Sequence, residues 1–189
     1  CAILLLLSAV LPAASQGELT PAELALIGPP DLSSPRATFG ALQSSVTEAY
    51  DAFAKAYDRY RAEPGVAPSP EVAAGIDTVN RLLRRAMATL DLSEVPAVDR
   101  EQTGIEVAFL LGEVLDRLPP VDLDSIPDDA AVARDGITTW RLPHTALAIV
   151  RVEKGPQAGE FLFSPESIDA ARELYDEITR LVRRMEGMA

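Results

Sequence analysis

Val114 to Asp129 reads VLDRLPPVDLDSIPDD, and Trp140 to Tyr175 reads WRLPHTALAIVRVEKGPQAGEFLFSPESIDAARELY. The order of these pieces decides the fold. Leu115-Asp116-Arg117-Leu118 closes a helix against Pro119-Pro120, because proline has no N–H to give the helix and disfavours helical backbone in the residue before it. Val121 to Asp135 is acidic and turn-rich and predicts a loop. Ile137–Leu142, Thr145–Val152 and Glu160–Phe163 then read as three strands with two short connections, which predicts an antiparallel meander spanning 137–163. The middle run is apolar on both faces at its start, as a central strand is. Phe161 and Phe163 share one face, since side chains alternate along a strand. Trp140 is expected to anchor the meander against a helix. Ser164-Pro165 opens the last helix with a hydroxyl at the N-cap and a proline at the first position. Its stripe is Ile168, Ala171, Leu174, Tyr175, Ile178, Leu181 and Val182, and Arg180, Arg183 and Arg184 close it where cations favour the helix dipole.

The same opening recurs upstream. Ser34-Pro35 starts a helix whose apolar positions Phe39, Leu42, Val46, Tyr50, Phe53, Tyr57 and Tyr60 fall on one face, and Glu63-Pro64-Gly65 stops it. That spacing predicts core for the whole stripe, with the tyrosine hydroxyls reaching the surface. Ser69-Pro70 starts the next helix, with Val72, Ile76, Val79, Leu83, Ala86 and Leu90 inward and Arg81, Arg84 and Arg85 in solvent. Asp99 and Gln102 form the predicted cap of a third helix carrying Ile105, Ala108, Leu111, Leu115 and Leu118, widened by Val107, Phe109 and Leu110. Gly104 and Gly112 lower its intrinsic propensity and mark close approach of neighbouring helices. The fold class is therefore α+β, mainly α: a helical bundle with a small three-stranded antiparallel meander before the last helix, occupying 34–186.

The N-terminal residues read differently. Ala2 to Leu11 is an apolar run too short to span a bilayer, followed by small residues at Ala13 and Ser15. Residues 1–16 therefore read as a signal peptide whose basic start lies ahead of Cys1, and 17–33 as a leader with a capping box at Thr20-Pro21-Ala22-Glu23. Removing 1–16 leaves no cysteine, which suits an oxidising compartment. Over 189 residues the formal charge is −12. That balance argues against nucleic acid and anionic lipid as partners, which require clustered Lys and Arg.

No catalytic, cofactor-binding or metal-binding residue is assigned. His144, in a turn after Pro143, is the single histidine and cannot complete a zinc site alone. Asp122, Asp124, Asp128, Asp129 and Asp135 form the best hard-cation candidate, but Ile126 and Pro127 interrupt the spacing of a calcium loop, so a solvated acidic loop is expected. No nucleophile elbow, phosphate loop, dinucleotide fingerprint or metalloprotease helix is present.

Several runs together carry a family resemblance. They are Ser34-Pro35-Arg36-Ala37-Thr38, Leu90-Asp91-Leu92-Ser93, Val114-Leu115-Asp116-Arg117, Val121 to Asp128, Ile149-Val150-Arg151-Val152-Glu153 and Gly159 to Ser164. From Ser34 to Val182 the chain resembles the extracytoplasmic N-terminal region of MscS-like mechanosensitive channel proteins. The resemblance implies a non-enzymatic periplasmic domain of an inner-membrane protein, with pore helices downstream of Ala189 and homo-oligomers formed through that membrane part. Envelope components are the expected further partners. Two other readings stay open: a free-standing periplasmic interaction or adaptor protein, and an unrecognised hydrolase using acidic residues.

Overall fold

The structure, a computed structural model, describes residues 28–63 and 67–186. Among them are five α-helices and three strands, of which all the strands and every helix but the short one at Asp129–Asp135 come in the expected order. They are α1 (Pro35–Ala62), α2 (Pro70–Met87), α3 (Arg100–Arg117), α4 (Asp129–Asp135), β1 (Thr139–Arg141), β2 (Ala148–Arg151), β3 (Phe161–Phe163) and α5 (Pro165–Glu186). The predicted signal peptide and the Thr20–Glu23 capping box lie outside the described residues. Among the described residues, no helix is long and apolar enough to cross a membrane.

Short polar side chains set the helix starts. Ser34 Oγ accepts from the Ala37 amide at 3.4 Å and Ser69 Oγ from the Val72 amide at 3.3 Å, each ahead of a proline at the first helical position. Ser164 Oγ accepts from the Ser167 amide at 3.3 Å. The Asp99 cap is a correction: Asp99 has helical backbone and makes no side-chain cap bond, because an Ncap needs extended backbone to turn its side chain back onto the helix. A second correction is α4, which occupies part of the segment read as loop. Asp128 caps it, accepting from the Ala131 amide at 2.9 Å, and Gly136, at φ 64°, ends it in the left-handed conformation that glycine adopts without strain.

The sheet has order β1-β2-β3, antiparallel throughout, with Trp140 opposite Ile149 and Ile149 opposite Phe163. Each strand is shorter than the run predicted for it; between β1 and β2 the chain turns, the Thr145 N–H donating to the Leu142 carbonyl at 3.2 Å. All three residues of β3 are buried, so Leu162 is covered as fully as Phe161 and Phe163. The outer edge of β3 is closed by chain from elsewhere. The Phe161 amide donates to the Leu32 carbonyl at 2.8 Å and the Phe163 amide to the Thr89 carbonyl at 2.9 Å. Thr38 Oγ1 donates to the Phe161 carbonyl at 2.6 Å, and the Asp91 amide donates to that of Phe163 at 2.9 Å. An edge that would otherwise offer unpaired groups to another chain is thus satisfied inside the domain.

Phe39, Leu42, Val46, Leu111, Val114, Ile126, Leu147, Ile149, Phe161, Phe163 and Ile168 form the main core. Trp140 meets Phe39 edge-on, ring centres 5.9 Å apart, so the meander is anchored on α1 as expected. Leu181 and Val182 lie outside the residues whose side chains are described. Both α3 glycines are close-approach positions: a Cβ on Gly112 would lie 2.5 Å from Val46 Cγ1, and one on Gly104 would strike Met87. Two residues of α2 depart from expectation. Ile76 is exposed, and Arg85 is half-buried, its Nη1 donating to the Gly28 carbonyl at 3.1 Å.

Candidate functional site

The acidic residues do not converge. Asp122 accepts from the Asp124 amide at 3.0 Å and so caps a 3-10 turn at Leu123–Ser125, while Asp128 caps α4. Arg36, from the first turn of α1, crosses to this segment. Its Nε donates to the Ile126 carbonyl at 2.9 Å and its Nη2 to the Asp124 carbonyl at 3.1 Å, with Asp124 and Asp128 carboxylates at 3.5 and 3.7 Å from Nη1. Asp129 accepts from Ser33 Oγ at 2.9 Å, and Asp135 pairs with Arg134 at 2.8 Å. The amide of Ala131, first, and then the nearby Arg36 hold the Asp128 carboxyl below its ordinary range. The segment is thus a clasp pinned onto the start of α1, and Ile126 is its fully buried plug. Among the described residues no group of three or more His, Cys, Asp or Glu side chains could hold a metal ion.

His144 is exposed in its turn at φ 61°, an uncommon left-handed conformation for a residue with a Cβ. It borders a shallow opening of about 340 Å³ with Thr145, Ala170, Glu173 and Glu177. A second opening, about 400 Å³, lies between the end of α2 and the β2–β3 connection, over Met87, Leu90 and Leu92 with Arg100 and Gln157 at its rim.

One polar network ties three helices. Tyr50 O–H on α1 donates to Glu113 Oε1 on α3 at 2.5 Å, Glu113 also pairs with Arg117, and the Arg117 guanidinium lies 5.8 Å over the ring centre of Tyr175 on α5. Burial, then the Glu113 hydrogen bond, raises the Tyr50 hydroxyl above the usual tyrosine range. The Tyr50 hydrogen bond, and then Arg117, lower the Glu113 carboxyl.

The largest departure from the sequence reading lies on the distal half of α1. Phe39, Leu42 and Val46 are in the core, but Tyr50, Phe53, Tyr57 and Tyr60 are 38, 57, 50 and 42% exposed. The stripe predicted as core is core for only half its length. The reason is a mismatch of lengths. Ala56 packs against Gly75, which fixes the register of the α1–α2 hairpin and sets Val46 and Met87 at nearly the same level. Since α3 meets Val46 through Gly112 and Met87 through Gly104, it crosses both helices at that level instead of running along them. Ala49, Leu82 and Leu83, with Ile105 and Phe109 of α3, form a small second core there. Beyond it, residues 53–62 and 70–79 project as a two-helix arm about 15 Å long, at 1.5 Å per residue. On its free surface Phe53 stacks on Tyr57, ring centres 6.1 Å apart, Arg61 lies 5.8 Å over the Tyr57 ring, and Ile76 of α2 is 46% exposed. Sequence reasoning missed this surface because helical spacing tells which face is apolar but not where its cover ends. The cue available was that α1 runs ten residues longer than the other bundle helices around it, 28 against 18.

This arrangement offers an aromatic surface on a two-helix arm and a satisfied polar clasp at the opposite end of α1. The chain matches no protein-family model, no curated protein and no solved structure.

Proposed function

We propose that the chain is a non-enzymatic interaction domain on the extracytoplasmic side of an MscS-like mechanosensitive channel. Its pore helices would lie downstream of Ala189, in the inner membrane. The observation that carries the reading is the aromatic arm. Aromatic side chains with few charges among them are the composition of interface centres, and Tyr and Phe on a stiff helix lose little conformational freedom on binding. The channel link rests on the resemblance running from Ser34 to Val182. A domain of this kind acts by contacting its partners differently in the closed and open states, since only such a difference moves the balance between them.

The test is survival of a sudden drop in osmolarity. In cells lacking other tension-gated channels, the full-length gene is expected to protect. A form deleted for Ser34 to Met185, with residues 1–33 kept, is expected to protect to a different degree while remaining in the membrane. No protection by the full-length gene removes the channel reading and leaves the periplasmic adaptor, for which the same arm would serve.

A further inference from the structure

We draw no further inference here: the strongest candidate, the exposed aromatic surface of Phe53, Tyr57 and Tyr60 on the α1–α2 arm, is an unpartnered helix face, and nothing in the structure shows what covers it.

Discussion

Ser167 shows how much one buried hydroxyl can organise. It is 0% exposed, accepts from the Ala148 amide at 2.8 Å and donates to the Ala148 carbonyl at 3.0 Å, so the last helix takes the place of a neighbouring strand at the start of β2. Ser167→Ala should cost about 1–3 kcal/mol, the penalty for leaving a buried amide unpaired, whereas Ser164→Ala, which removes the cap, should cost about 1 kcal/mol. Denaturant melts with the two in the reverse order would break this assignment. Gly112→Ala places a methyl 2.5 Å from Val46 Cγ1 and should cost about 1–3 kcal/mol through overpacking, with partial recovery in a Val46→Ala background. Glu113 sets an acid limit. Its folded carboxyl is held below the ordinary range, so its contribution is fully present above the unfolded glutamate pKa and is lost as pH falls through the lower folded value. Glu113→Gln should therefore flatten the acid side of the stability–pH curve, and Tyr50→Phe, which removes the leading cause of the shift, should flatten it in part. An unchanged acid limb in both variants would show that the network carries no such linkage. At this scale the serine caps were legible, because Ser-Pro at a helix start has one mechanical reading. Arg85 was not: its position off the apolar stripe said nothing about Gly28, which reaches it from outside the hairpin.

Elements were legible where local chemistry ends them and less so where tertiary contacts do. Pro119-Pro120 and Glu63-Pro64-Gly65 placed helix ends within a residue or two of where they fall. The strands came out shorter than the runs predicted for them; at the start of the middle run Thr145 is held in a turn by the Leu142 carbonyl. The helix α4 hid in an acidic segment because its start depends on Asp128, which read equally well as a loop residue. The distal half of α1 was misread for a deeper reason: burial is a property of two elements, and the sequence of one shows only its own half. The contrast is measurable. Phe161, 1% exposed under α1, should cost about 3–5 kcal/mol on truncation to Ala. Phe53→Ala, at 57% exposure, should stay within about 0.5 kcal/mol in dilute, monomeric protein. A large monomer destabilisation from Phe53→Ala would mean that the arm is structural.

On the scale of the whole molecule, the chain divides its surfaces. The β3 edge is sealed by Leu32, Thr38, Thr89 and Asp91, and the acidic segment is fastened to α1 by Arg36, so neither invites a partner. The arm alone presents a broad aromatic face with no cover among the described residues. If that surface acts within a tension-gated channel, its loss must alter the balance of states without abolishing conduction. The direct measurement is the opening tension in membrane patches of the full-length protein, compared with the Phe53→Asp/Tyr57→Asp form. The account predicts tension-gated current from both, with the same unit conductance and a displaced threshold in the variant; identical thresholds, or no tension-gated current from the unaltered protein, would contradict it.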